Sequence, residues 1–229
     1  MKKVILILSS ILVISNAGAQ MSLEFQGKGS MASTWLFNKN ISDLGQEQDY
    51  AMAWGSSYGV AANLYFNNIG IGVEGLFGKH NGGYAGTISN IKYNSEVTLK
   101  GYQIPVLLKL KSDGGAYVEL GVQANGISNA TFTGEGEGIP TVSKDVTSNY
   151  SKNYMSAVLG FGANVKPSKS LPLGILFGIR LNYGFGDAKG VDALSSKLDD
   201  KARYPTYEKT NAASGSIVLG LTYSLEVKK

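Results

Sequence analysis

The chain has 229 residues, 30 of them glycine and none cysteine, with 17% charged and 43% hydrophobic residues. The lack of cysteine excludes disulfide scaffolds, thiolate metal sites and cysteine nucleophiles, while glycine without collagen's third-residue period needs another backbone explanation. A formal charge of +4, from 21 bases and 17 acids, is too slight for nucleic-acid binding, and a mean hydropathy of -0.02 is not that of a helical membrane protein.

Residues 1–19 read as a signal peptide. Lys2 and Lys3 precede an apolar run from Val4 to Ile14, relieved only by Ser9 and Ser10. Ala17-Gly18-Ala19 then supplies the small residues of a cleavage site, with Gln20 the expected mature start. The run is too short to span a bilayer as a helix, and no cysteine follows it to accept a lipid. Loss of Lys2 and Lys3 turns 21 bases against 17 acids into 19 against 17, a charge of +2.

Residues 20–229 alternate with a period of two, and eight segments emerge. In the first, Leu23, Phe25, Gly27, Gly29, Met31 and Trp35 alternate with Glu24, Gln26, Lys28, Ser30 and Thr34. The second carries Tyr58, Val60, Ala62, Leu64 and Phe66. A tight Asn67-Asn68 turn leads to the third, with Ile69, Ile71, Val73 and Phe77 against Gly70, Gly72 and Glu74. The fourth sets Tyr102, Ile104, Val106, Leu108 and Leu110 against Pro105 and Lys109, and Asp113-Gly114-Gly115 turns the chain. Val118, Leu120 and Val122 against Glu119 and Gly121 make the fifth. Met155, Leu159, Phe161 and Val165 against Gly160 and Gly162 make the sixth. Ile175, Phe177, Ile179, Leu181 and Tyr183 against Gly174, Gly178 and Arg180 make the seventh. Ile217, Leu219, Leu221, Tyr223 and Leu225 against Gly220 and Thr222 make the eighth.

Connections after the second, fourth and sixth segments are short, whereas about 37–54, 80–95, 127–151 and 187–212 are long. Short turns at one end and long loops at the other predict an all-β, eight-stranded antiparallel up-and-down transmembrane β-barrel with periplasmic turns and extracellular loops. Each long loop is bracketed by strands of the same pattern, so 20–229 reads as one domain. Val191, Leu194 and Leu198 fit either a short helix or coil in the last loop.

Composition of the polar face decides which side is wet. Its main charges are Glu24, Lys28, Glu74, Lys109, Glu119 and Arg180, amid Gly, Ser, Ala, Asn and Gln. A water-facing sheet would carry many more charges. A narrow lumen instead takes small polar side chains and a few mutually neutralising ions. Those six residues are therefore expected to form a lumen ionic network. Trp35, Tyr58, Tyr102, Tyr183 and Tyr223 on the other face are expected at the lipid interfaces.

The signal peptide, Gly27 and Gly29 in the first strand, Tyr102-Gln103-Ile104-Pro105-Val106-Leu107-Leu108-Lys109 and Gly178-Ile179-Arg180-Leu181-Asn182-Tyr183-Gly184 resemble the small outer-membrane β-barrel proteins of Bacteroidota, the PorT-like group. The resemblance implies an eight-stranded barrel of the outer membrane without an assigned activity. Such barrels commonly end in an aromatic residue, whereas this chain runs Tyr223-Ser224-Leu225-Glu226-Val227-Lys228-Lys229.

Function is expected to be non-enzymatic. His80, the only histidine, reads as a loop residue, and neither Gly-x-Ser-x-Gly nor a repeated acid constellation accompanies it. Gly134 to Gly138 lacks the Lys-Ser/Thr of a phosphate loop and carries Glu135 and Glu137. Glu135 and Glu137 with Asp145, and Asp192 with Asp199 and Asp200, read as solvated or lipopolysaccharide-facing patches, not as metal sites. No cofactor is expected. The expected partners are outer-membrane lipid, lipopolysaccharide and a protein met through the loops. An alternative is a soluble periplasmic lipocalin-like barrel binding a small apolar ligand, which requires the Leu/Ile/Phe set to point inward.

Overall fold

A computed structural model describes residues 20–167 and 171–227. The predicted signal peptide lies outside these residues, as do Lys228 and Lys229. The strands are β1 (Met21–Phe37), β2 (Asp49–Ala51), β3 (Trp54–Phe66), β4 (Ile69–Ile88), β5 (Ile91–Lys111), β6 (Ala116–Gly136), β7 (Ile139–Asp145), β8 (Asn153–Val165), β9 (Leu173–Gly184) and β10 (Asn211–Val227). Eight of the ten close a ring of antiparallel neighbours in the order β1-β3-β4-β5-β6-β8-β9-β10, sealed by β10 pairing with β1. The two short strands, β2 and β7, add to β4 and β6 outside the ring.

The register fixes the bore. Cα partners leaving Glu24 of β1 run through Asn63, Gly72, Leu107, Gly121, Val158, Asn182 and Ser214, and return to β1 at Thr34, ten residues further along. Eight strands with that shift, ~3.3 Å rise and ~4.8 Å spacing tilt by roughly 40° around a backbone radius of about 8 Å. Side chains alone can fill such a cylinder. Lumen glycines make the remaining room: a Cβ on Gly72 would lie 2.1 Å from Asn63 Oδ1, and one on Gly160 would lie 2.5 Å from Glu119 Oε1.

The apolar set faces out. Ile71, Val106, Leu120, Phe177, Ile179, Leu219 and Leu221 are all exposed, while Glu24, Lys28, Glu74, Lys109, Glu119 and Arg180 are buried. A lipocalin-like ligand site, which needs that apolar set inside, therefore has no basis. Along β5 the belt runs from Tyr102 to Leu110 and along β9 from Leu173 to Tyr183. With the strand tilt, its height is about 20–25 Å.

Two of the predicted long loops are strands. Residues 80–95 continue β4 and β5 beyond the belt, joined at Ser89-Asn90, where both residues hold positive φ (51° and 66°) as a two-residue hairpin turn requires, and 127–151 carries the end of β6 to Gly136 and then β7. Polarity inverts along these extensions. Above Lys79 and Lys100 the inward residues become Tyr84, Val97, Leu99, Ala130 and Phe132, all buried, while the outer face carries Asn81, Glu96, Thr98 and Thr131. Pairing of β4 with β5 continues in one register through that boundary, so the environment changes and the pleat does not.

Candidate functional site

Three strands aim cations into the lumen at one level, and two supply carboxylates. Glu74 of β4 is central. Its Oε1 accepts from Lys28 Nζ of β1 at 2.7 Å and from Arg180 Nη2 of β9 at 3.0 Å, and its Oε2 accepts from Arg180 Nη1 at 2.8 Å. Arg180 also donates from Nε to Glu119 Oε1 of β6 at 2.8 Å, and Lys109 Nζ of β5 lies 3.0 Å from Glu119 Oε2 and 3.6 Å from Glu74 Oε1. The planar guanidinium thus bridges two carboxylates across the bore, a geometry an ammonium cannot supply.

Glu24 stands apart from this group. Its carboxylate accepts from the neutral Gln26, Asn63 and Asn164 side chains at 2.7, 3.3 and 3.1 Å, and no ion pair reaches it among the described residues. Of the six expected residues, five meet; Glu24 lies nearer the short-turn mouth, where amides and Ser224 satisfy it instead of a cation.

Space in the lumen is small. A cavity of about 20 Å³ lies beside Lys28, His80, Gln103 and Arg180, and two of about 10 Å³ each adjoin His80, Gln103 and Asn125. Each is about the size of one water molecule. His80, read from sequence as a loop residue, belongs to β4 and shares the inward parity of Glu74 and Leu76. The sequence placed it wrongly because the apolar alternation stops at Phe77. At the short-turn mouth a wider recess of about 360 Å³ is lined by Glu24, Tyr65, Lys109, Lys111 and Tyr117, with Lys111 Nζ 3.8 Å from the Tyr65 ring centroid.

The opposite mouth carries a cap. The connection 185–210 contributes Ala188, Val191, Ala193, Leu198 and Tyr204 to a core shared with Leu36, Tyr84, Val97, Leu99 and Phe132. Asp192, completely buried, is its keystone: Oδ1 accepts from the Leu194 and Ser196 amides at 2.9 and 2.8 Å, and Oδ2 accepts from Tyr204 Oη at 2.6 Å. Arg203 Nε lies 3.0 Å from the same oxygen. Burial first, then the bond to Asp192, push the Tyr204 hydroxyl up to about 12. Gln48 and Ser95 bond the Ala193 backbone at 3.2 and 2.8 Å, tying the cap to the first connection and to β5. Asp192 is therefore not part of a solvated acidic patch. Val191 and Leu198 are buried in irregular chain, not in a helix. Val191 and Leu198 were the sequence signal for this core, whereas Leu194, read with them, is exposed and Ala193 is buried instead.

On the outer face, Tyr58, Phe77 and Tyr102 are direct neighbours across β3, β4 and β5. Tyr183 is exposed near the cap end of β9, and Tyr223 near the other end of β10. Trp35 is half-buried, whereas Trp54, read from sequence as a loop residue, begins β3 and is exposed.

No protein-family model and no curated protein matches the chain. Among solved structures, it is similar to Neisserial surface protein A at 13% identity, covering 88% of this chain and 96% of that one, with a TM-score of 0.41. Ail, the attachment invasion locus protein of Yersinia pestis, is 11% identical over 89% of this chain and 98% of that one, with a TM-score of 0.39. The outer membrane protein OprG of Pseudomonas aeruginosa is 14% identical over 89% and 96%, with a TM-score of 0.38.

Proposed function

We propose that this protein is a non-enzymatic barrel of the bacterial outer membrane, akin to the PorT-like barrels of Bacteroidota, reached by signal-peptide export. The start of β1, the end of β10 and the short turns lie on the periplasmic side, and the capped end faces outward. The observation that carries this reading is the apolar belt. A surface of Leu, Ile, Val and Phe this extensive, wrapped around a lumen of buried charges, is stable in lipid and aggregates in water. The Arg180–Glu74–Glu119 bridge across the bore and the core under the cap both oppose free permeation, so a structural or surface-interaction role is favoured over transport. The one imidazole lies enclosed in the lumen, away from any rim where a large substrate could meet it. Outer-membrane lipid and lipopolysaccharide are the surrounding partners, with a protein met through the β4–β5 and β6–β7 hairpins. Purified protein should migrate differently on an unboiled gel than after boiling, and should give no stable large conductance in planar bilayers. Unchanged mobility with full solubility in buffer would overturn membrane insertion. Stable large conductance would overturn the filled lumen.

A further inference from the structure

Two lysines stand directly opposite each other on the outer face. Lys79 of β4 and Lys100 of β5 are cross-strand partners, and both are exposed. Cβ atoms so paired are roughly 5 Å apart, and like charges in that position destabilise a sheet. Neither lysine has an ion-pair partner among the described residues. Glu96, on the same face four residues along β5, is already bonded by Asn81 Nδ2 at 2.9 Å and Thr98 Oγ1 at 3.1 Å. Ser56 of β3 is the partner of Lys79, and Asn129 of β6 is the partner of Lys100, so hydroxyl, ammonium, ammonium and amide form one row across four strands.

The level of this row on the barrel is what gives it meaning. Phe77 and Tyr102 lie two residues below the lysines, at the upper margin of the apolar belt, and the inward face turns from polar to apolar just above. A β-bulge falls between Lys100 and Gly101, with Ser128 the unpaired residue of β6 donating its hydroxyl to the Lys100 carbonyl at 3.0 Å. Bulges at such borders re-aim the neighbouring side chains. We infer that Ser56, Lys79 and Lys100 form a docking site for a phosphorylated lipid headgroup of the outer leaflet. One phosphate takes both ammonium groups, which removes their repulsion, while the acyl chains lie against Tyr58, Phe77 and Tyr102. This inference rests on the membrane reading above, and it commits to a lipid-borne phosphate, not to free phosphate.

The test compares wild type, Lys79→Gln/Lys100→Gln and Lys92→Gln/Lys144→Gln as full chains in neutral detergent. The added lipids are lipid A with two phosphates, dephosphorylated lipid A and phosphatidylethanolamine, with inorganic phosphate as the soluble control. Lipid retention is read by native mass spectrometry and unfolding by midpoint temperature. Wild type and the Lys92/Lys144 variant should retain phosphorylated lipid A and gain stability from it. The Lys79/Lys100 variant should bind it roughly tenfold or more weakly, as expected from losing two surface lysines, and gain little. Equal retention by all three proteins, or an equal gain from inorganic phosphate, would overturn the site. Heat-modifiable mobility is scored in parallel, so a protein that folds as a membrane barrel yet shows no headgroup preference refutes the site and leaves the membrane reading intact.

Discussion

Replacing Glu74 by Gln tests the lumen cluster. Five charges meet there: Lys28, Lys109 and Arg180 against Glu74 and Glu119. Glu74 is 2% exposed and touches all three cations. Its neutralisation leaves three buried cations facing one carboxylate. Removing one partner of a buried ion pair costs about 3–5 kcal/mol, because the abandoned charges stay desolvated. Lys28→Met has the opposite arithmetic. It leaves Lys109 and Arg180 facing Glu74 and Glu119, two against two, and its cost should stay below about 2 kcal/mol, the scale of one charged hydrogen bond. Urea unfolding in phospholipid vesicles, followed by the fluorescence of Trp35 and Trp54, the chain's 2 tryptophans, measures both. A Glu74→Gln variant within about 1 kcal/mol of wild type, or a Lys28→Met loss equal to it, would refute the reasoning.

Four further outcomes follow from other parts of the molecule. Val106→Arg, at the middle of the belt on β5, should cost about 2–4 kcal/mol in vesicle unfolding. Gly160→Val should displace Glu119 from Arg180, since even a Cβ would lie 2.5 Å from Glu119 Oε1, and should lower the unfolding midpoint. Asp192→Ala should release the cap, so that protease cuts within 185–210 at least about tenfold faster while gel mobility still depends on heating. At Asp187, burial opposes ionisation, but the Tyr207 hydroxyl and the Lys189 and Thr210 amides outweigh it and hold the carboxyl below its ordinary range. A depressed folded value means the contribution is full above the ordinary carboxylate pKa of about 4 and disappears as pH falls through the folded value. Exchange of the Thr210 amide, which donates to Asp187 Oδ1 at 3.0 Å, should therefore quicken relative to intrinsic exchange only below about pH 4.

All eight ring strands were legible wherever outward apolar side chains alternate with small lumen residues, as in Ile175 to Tyr183. The pattern failed where its physical cause stops. Above Lys79 and Lys100 the outer face turns polar and the inner face meets the cap, so Val97 and Leu99 are apolar on the parity that holds Gln103, Leu107 and Lys109 below. The outward apolar parity of β5 begins only at Tyr102, although the strand begins at Ile91. The charges of the lumen were visible as rare ions among Gly, Ser and Asn. Their pairing was not, because it depends on register: Glu24 and Lys28 share a strand face, yet only Lys28 reaches the level of Glu74. Asp192 was misread because its neighbours in sequence, Asp199 and Asp200, are exposed, while its burial comes from β4, β5 and β6.

The belt itself can be read directly, because the chain contains 0 cysteines and single ones can be placed at will. Nitroxide labels at Gln103, Ile104, Val106, Leu107, Leu108 and Lys109 of β5, in protein reconstituted into phospholipid vesicles, would be scored for collision with oxygen and with a polar nickel chelate. Labels at Ile104, Val106 and Leu108 should meet oxygen freely and the chelate hardly at all, while those at Gln103, Leu107 and Lys109 should be shielded from both. Chelate access at Ile104, Val106 and Leu108 would mean that water wets the outer face, and the barrel would not span a membrane.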